Sequence, residues 1–365
     1  MSELYELRTI HCAGAPRELG RAQGEEVRDL VRGFVAQRLD ALQTYLDERG
    51  SADVSAFLDL GQRCLMAQKR WDPEGYAEHC GIAEGARVGA SELYAVSNMT
   101  DLRDVLLLSK QPDREGCSSL MLPAHLARDG HLLAGQTWDL NPTDLDYVVA
   151  VHRLPEDGPE TWAVTCVGSL TLMGMNEHGV AVGTTNIKTY RCRTGVGYLS
   201  VLHRAIRATS SAEARAQVEQ APRAAAHTYW VADDTSGVEL ECSSELCVRR
   251  DLAGAPLART NHCLSAALKE LEGEPATSSS EKRLLRLLDV LSRGEHDVAS
   301  LRALYSDRSD GVDSICRYAE DEQGTTTNAC MICEPATRRL WLCRGPADRG
   351  AWQELAFERR PAPTA

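Results

Sequence analysis

The stretch Arg114-Glu115-Gly116-Cys117-Ser118-Ser119, continued by a segment that returns to Gly135-Gln136-Thr137-Trp138-Asp139, decides how this chain is read. Glycine adopts strained or positive-φ backbone at little steric cost, which lets the thiol of the next residue approach the carbonyl of the peptide bond joining them. Attack by Cys117 on Gly116, with water resolving the thioester, would break the chain there and leave Cys117 with a free α-amino group. An α-amine has an ordinary pKa of roughly 7.7–8.0, close to where a general base works best at neutral pH, and it is a recognised activator of its own side chain. One residue then supplies both nucleophile and base, and no separate histidine is needed.

A Gly-Cys pair is a weak signal in a chain with 28 glycines and 13 cysteines; its surroundings strengthen it. Ser118 to Pro123 and His131 to Trp138 both read as strands, and Ala127-Arg128-Asp129-Gly130 between them holds the Asp-Gly pair favoured in hairpin turns. Cys117 is thus expected at the start of a hairpin and Asp139 at the end of its returning strand, which makes them neighbours. A carboxylate there could hold the α-ammonium or orient the amine; alternatively, Asp139 is a strand-terminating turn residue before Asn141-Pro142.

Outward from this hairpin the pattern changes character. The first hundred residues look mostly helical: Pro16 precedes apolar residues at helical spacing from Leu19 to Leu42, with a stop at Gly50. Residues 53–70 and 91–109 continue the pattern, the latter capped at Ser91. From Cys117 to Thr185 strands are expected at 147–153, 161–167, 170–175 and 180–185. Helices follow at 196–208 and 211–219, then a strand pair about Asp233-Asp234-Thr235-Ser236-Gly237. A leucine-rich helix runs from Ser278 to Leu291, Asp297 caps another, and strands return at 326–333 and 339–343. Pattern alone supports a mixed α+β fold.

Gly116-Cys117-Ser118-Ser119, Gly135 to Asp139, Met175-Asn176-Glu177-His178-Gly179-Val180 and Arg259-Thr260-Asn261-His262 together resemble the acyl-coenzyme A:6-aminopenicillanic acid acyltransferase family, autoproteolytic cysteine enzymes of the Ntn-hydrolase superfamily. Gly81-Ile82-Ala83-Glu84-Gly85-Ala86, Ser314-Ile315-Cys316-Arg317 and Gly345-Pro346 extend the resemblance over most of the chain. It implies a four-layer αββα sandwich with a helical N-terminal region. Residues 1–116 would become an α chain and 117–365 a catalytic β chain, the two remaining associated as one domain. It also implies that Cys117 is the nucleophile, Asp139 the carboxylate beside it, and Asn261 the amide donor to the oxyanion, a neutral group suited to developing charge. An arginine near the site matches Arg317, which could equally be a surface cation. Thr184, Thr185 and Asn186 follow a core strand and are candidate pocket residues. The spacing from Cys117 to Asp139 and the Ser118-Ser119 pair depart from the family pattern and bear on pocket shape.

Composition excludes several classes. The net charge of −13, from 40 basic and 53 acidic residues, argues against nucleic-acid partners. No apolar run approaches the roughly 18 residues of a membrane helix, and Met1 to Arg8 lacks the regions of a signal peptide, so a cytoplasmic enzyme is expected. An odd number of cysteines spread from Cys12 to Cys343 fits a reducing compartment better than a disulfide framework. Cys330 and Cys333 have a metal-like spacing without a second ligand pair, and alternation of Ala329, Met331 and Cys333 reads as one face of a core strand; no metal and no cofactor are expected.

The expected activity is hydrolysis of a linear non-peptide N-acyl bond through a Cys117 thioester, with a small-molecule amide or acyl thioester as partner and a homo-oligomer admitted. Acyl transfer to an amine is the alternative. A papain-like pairing with His262 and a non-catalytic binding protein of the same fold are further alternatives.

Overall fold

Two β-sheets lie face to face, with helices on the outer surface of each. The computed structural model describes residues 4–49, 53–106, 116–273, 276–321 and 324–358. The strands are β1 (Arg8–Gly14), β2 (Gly116–Leu122), β3 (Leu133–Leu140), β4 (Val148–Pro155), β5 (Thr161–Cys166), β6 (Met173–Asn176), β7 (Ala181–Asn186), β8 (His227–Ala232), β9 (Gly237–Cys242), β10 (Cys247–Asp251), β11 (Leu257–Arg259), β12 (Thr326–Glu334), β13 (Arg339–Arg344) and β14 (Gln353–Leu355). The helices are α1 (Pro16–Glu26), α2 (Arg28–Arg49), α3 (Val54–Trp71), α4 (Pro73–Ala86), α5 (Ala90–Ser97), α6 (Met99–Leu106), α7 (Tyr198–Ala205), α8 (Ser211–Gln220), α9 (Ala266–Lys269), α10 (Ser278–Leu291) and α11 (Val298–Tyr305). One sheet has the order β1-β4-β5-β6-β7-β8-β9-β10 and the other β11-β2-β3-β12-β13-β14.

Strands β2, β3, β5, β8, β9 and β12 are buried at every residue, as strands covered on both faces must be. Cys117, Met121, Ala134, Trp138, Met331 and Cys333 share one core with residues of β4 to β8, while Leu120, Leu133, Cys330 and Ile332 pack outward on Leu287 and Leu291 of α10 and Leu301 and Leu304 of α11. On the other side α1, α2, α7 and α8 cover the eight-stranded sheet. A third cluster joins α2, α3, α5 and α6 through Leu42, Phe57, Leu60, Tyr94 and Leu102. The protein is an α+β, four-layer αββα sandwich. Among the described residues no helix is long and apolar enough to cross a membrane.

Several local expectations are corrected. The N-terminal region also holds β1, which pairs in parallel with β4 (Arg8 opposite Val149, His11 opposite His152). Only Ile10 and Cys12 of this strand are buried core residues, too short a pattern to stand out from sequence. The helix begun at Pro16 breaks at Val27 (φ −120°, ψ 31°) and restarts as α2; the stop assigned to Gly50 lies outside the described residues. The segment from 91 is two helices, α5 and α6, and its N-cap is Gly89, not Ser91; residues 107–109 lie outside the described residues. Leu170 to Leu172 are not strand, and β6 begins at Met173.

The glycines of Gly81 to Ala86 have a packing role. A Cβ on Gly20 of α1 would lie 1.9 Å from Glu78 O, and one on Gly81 of α4 would lie 2.1 Å from Arg17 O, so the two helix backbones touch where only glycine fits. Beneath this contact Glu78 receives Arg153 Nε at 2.6 Å and lies 3.1 Å from His203 Nε2, tying α4 to β4 and α7. Burial alone would raise the Glu78 carboxyl, but His203 and Arg153 hold it well below the usual carboxylate range. Met175 to Val180 closes the β6–β7 turn: Asn176 Oδ1 accepts from His178 N and Val180 N, both at 3.0 Å, and its Nδ2 donates to Ile206 O and Ala208 O.

Candidate active site

The antiparallel β2–β3 pair sets Gly116 opposite Asp139 and Cys117 opposite Trp138, so the first residue of one strand meets the end of the other as the alternation predicts. Residues 114 and 115 lie outside the described residues. Gly116 is crowded: a Cβ there would sit 2.7 Å from Arg317 Nη1 and 3.0 Å from Asp139 Oδ2. Arg317 is 4 % exposed, a buried cation and not a surface one. It donates to Thr325 Oγ1 at 2.9 Å and Ser279 Oγ at 2.6 Å, and its Nε lies 3.8 Å from Asp139 Oδ2. A register shift in β12 between Thr327 and Ala329, of the kind that re-aims side chains, accompanies the 2.7 Å bond from Thr327 Oγ1 to Asp139 Oδ1. Burial raises the Asp139 carboxyl above its ordinary value, with the guanidinium groups of Arg317 and Arg283 opposing that rise.

Asn261 comes to Cys117 on the loop after β11. Arg259, at the end of β11, is held between Glu239 and Glu241 of β9, the latter at 2.7 Å, which anchors the loop across the two sheets. Asn261 Oδ1 accepts the Cys117 N–H at 2.8 Å, and its Nδ2 donates to Asn186 O at 2.9 Å. Arg283 Nη2 donates to the same Oδ1 at 2.9 Å; because guanidinium cannot accept, it fixes the amide with its oxygen toward Cys117. It is the acceptor of Asn261 that faces Cys117, while its donor reaches Asn186; the family resemblance emphasises the donor.

Arg283 is the residue that sequence reading missed. It is buried in α10, donates to the Cys117 carbonyl and, at 3.0 Å, to Ser118 Oγ. Burial, then the nearby Arg317, push its guanidinium down to about 9. Its signal was present: Ser280, Arg283, Leu287 and Leu291 form the buried stripe of α10, and a cation in that stripe needs a partner.

Cys117, Trp138, Asp139, Leu140 and Leu172 border a cavity completed by Thr100, Thr184, Asn186, Tyr198 and His227. Asn186 takes the expected place, whereas Thr185 does not: alternation along β7 puts Thr184 and Asn186 at the cavity and leaves Thr185 buried beside it. The histidine lining the cavity is His227, which stacks on Tyr198 and lies 2.6 Å from Asp101 Oδ1. His262, considered as a papain-like partner, instead has Nδ1 2.7 Å from Ser280 Oγ, and burial lowers its pKa. Cys330 and Cys333 belong to cores on opposite faces of β12, so strand geometry separates the two thiols that sequence spacing brings together.

The arrangement sets a cysteine thiol at a crowded glycine peptide, beside a buried carboxylate, two buried guanidinium groups and a side-chain amide, at the wall of a largely apolar cavity. Over 345 residues, 92% of each chain, the sequence is 27% identical to "acyl-coenzyme A:6-aminopenicillanic-acid-acyltransferase 40 kDa form" of Emericella nidulans. Among solved structures, a variant of conjugated bile acid hydrolase from Clostridium perfringens matches with 11% identity and a TM-score of 0.47, covering 66% of this chain and 92% of that one. Penicillin V acylase from Agrobacterium tumefaciens matches with 11% identity and a TM-score of 0.40, covering 62% and 82%. The profile of the acyl-coenzyme A:6-aminopenicillanic acid acyl-transferase family matches residues 126–349, more than half of the chain, and the protein belongs to that family.

Proposed function

We propose that this protein is an autoproteolytic N-terminal-cysteine amide hydrolase, acting in the cytoplasm on a linear non-peptide N-acyl bond through a Cys117 thioester. The observation that carries the reading is the setting of the Gly116–Cys117 peptide: Gly116 is pressed against Arg317 and Asp139, and the nitrogen that cleavage would free already donates to Asn261 Oδ1. Cys117 Sγ attacks the Gly116 carbonyl carbon, the C–N bond breaks as that nitrogen takes a proton, and water hydrolyses the thioester to a Gly116 carboxylate and a free thiol. The new α-amine then takes the Cys117 thiol proton. The thiolate attacks the substrate carbonyl, and the amine passes the proton to the departing nitrogen. Asn261 uses one amide N–H on Asn186 O and offers the other to the oxyanion; Asp139 and Arg317 hold the ammonium and the backbone, and Asn186 borders the substrate.

Water completes the cycle in hydrolysis. Acyl transfer to an amine is the second reading, favoured by the apolar side chains of Trp138, Leu140 and Leu172 around the cavity, which exclude water, and by the activity named for the Emericella nidulans relative. Either reading predicts two associated chains after cleavage. The test is the intact mass under denaturing conditions of the purified protein and of Cys117→Ala. Pieces of 116 and 249 residues (365 minus 116) from the parent, with the variant whole, support the proposal. A parent that stays a single chain on prolonged incubation overturns it and leaves a cysteine–histidine mechanism or a binding role.

A further inference from the structure

A second cluster lies away from Cys117, where the C-terminal segment crosses between the sheets. His11 of β1, His152 of β4 and Trp162 of β5 stand side by side across three neighbouring strands, with the His152 ring stacked on Trp162 at 4.2 Å. The two imidazoles point the same atom at each other: His11 Nδ1 and His152 Nδ1 are 3.0 Å apart. Beyond β14 the chain crosses this row. Trp162 Nε1 donates to Ala356 O at 3.0 Å, and Glu358 Oε1 lies 3.9 Å from His152 Nδ1.

A fourth residue organises the group. Glu160 is fully buried; its Oε1 lies 2.6 Å from His152 Nε2 and also accepts the Glu358 N–H at 2.8 Å. One carboxylate thus fixes the His152 tautomer, with the proton on Nε2 and the Nδ1 lone pair turned toward His11, and brings the backbone of Glu358 into place. A carboxylate behind a histidine is the usual support of a metal-binding imidazole.

We propose that His11 Nδ1, His152 Nδ1 and Glu358 Oε1 form a binding site for a divalent transition-metal ion of the zinc type. Two zinc–nitrogen bonds of about 2.05 Å at a tetrahedral angle place the nitrogens about 3.3 Å apart, and the two Nδ1 atoms are within a few tenths of an ångström of that. The third ligand must close from 3.9 Å to His152 Nδ1, and from within 4.8 Å of the other ligand atoms, to about 3.3 Å, a movement of about 0.5–1.5 Å that the 63% exposed side chain of Glu358 can make. All three ligand atoms already lie within 4.8 Å of one another. Water completes the fourth position. The ligands come from β1, β4 and the C-terminal segment, so their sequence spacing carries no metal signature, and the ion would fasten that segment across the two sheets.

The test is titration of the full chain with Zn(II) alone, in a reductant that does not bind metal, compared with His11→Ala and Glu358→Gln. Both altered side chains are exposed, so folding is not at risk. The parent should bind one equivalent more than His11→Ala, at least tenfold more tightly than Glu358→Gln, with a zinc-dependent rise in the unfolding midpoint that His11→Ala lacks. Co(II) bound at this equivalent should show no thiolate charge-transfer absorption. Equal stoichiometry and affinity in all three proteins, no binding by the parent, or a thiolate band from the extra equivalent would each overturn the proposal, whatever the fate of the Gly116–Cys117 bond.

Discussion

Replacing Arg283 by methionine sets two large effects against each other. The side chain makes three donated bonds across to the site, to Cys117 O, Ser118 Oγ and Asn261 Oδ1; a fourth, to Ser279 Oγ within α10, is 3.3 Å long, beyond the usual range, and contributes little. At about 1.5–3 kcal/mol for each bond to a charged group, their loss costs about 4.5–9 kcal/mol. Against this stands the unfavourable setting of the charge, burial first and the neighbouring Arg317 second: a fall from 12.5 to about 9 is equivalent to about 5 kcal/mol recovered when the cation is removed. Methionine fills much of the vacated space. The net loss is therefore expected between about 0 and 4 kcal/mol, read by urea unfolding of the single chain in a Cys117→Ala background. Self-cleavage should suffer separately, because Asn261 loses the donor that turns its oxygen to the Cys117 nitrogen. With Cys117 present, Arg283→Met should slow processing at least about tenfold, equivalent to about 1.4 kcal/mol in the barrier. A variant that cannot fold would refute the offset between bonds and burial. One that folds and processes at the parent rate would refute the positioning role.

Gly116→Ala drives a methyl group into Arg317, whose guanidinium is tied to Thr325 and Ser279; an overpacking cost of about 1–3 kcal/mol met on the way to the transition state slows cleavage about 5- to 150-fold, and unchanged processing by denaturing mass measurement would exclude this. Asp139 binds its proton more tightly folded than unfolded, so the linked stability is complete below its ordinary 3.8 and is lost as pH rises through the raised folded value. In the Cys117→Ala background, Asp139→Asn should escape that loss, its advantage growing from about pH 4 upward; a pH-independent difference in urea midpoints would contradict it. Glu78→Gln leaves Arg153 and His203 buried without their carboxylate and should destabilise the chain by about 3–5 kcal/mol, a loss that urea unfolding will show or deny.

The hairpin from Cys117 to Asp139 was legible because alternation and a turn dipeptide are local signals, and its register followed. The same holds for α10, α11 and the β8–β9 pair. What escaped depends on contacts between distant segments. Strand β1 has two buried apolar residues and a partner, β4, that is its neighbour in the sheet but distant in sequence, so nothing near it in sequence announces a strand. Arg283 hid inside a leucine-rich helix whose extent was legible while its one buried cation was not. The Arg259-Thr260-Asn261-His262 motif located Asn261, but that Arg259 clamps the loop to Glu239 and Glu241 is a tertiary fact. Thr184, Thr185 and Asn186 are alike in being polar, and only the alternation of β7 separates Thr184 and Asn186, at the cavity, from Thr185.

The edge position of β1 has a kinetic consequence. It lies on the N-terminal side of Cys117 yet completes the eight-stranded sheet by covering the free edge of β4. While the chain is continuous, an unfolded molecule regains that strand in a unimolecular step. If the chain is cut at Cys117, as proposed, the strand must be recaptured from a separate polypeptide, at a rate set by concentration, and an uncovered β4 edge invites pairing with other chains. Cleavage would thus turn a reversible folding reaction into a one-way one, so that the mature protein persists through slow unfolding and not through its ability to refold.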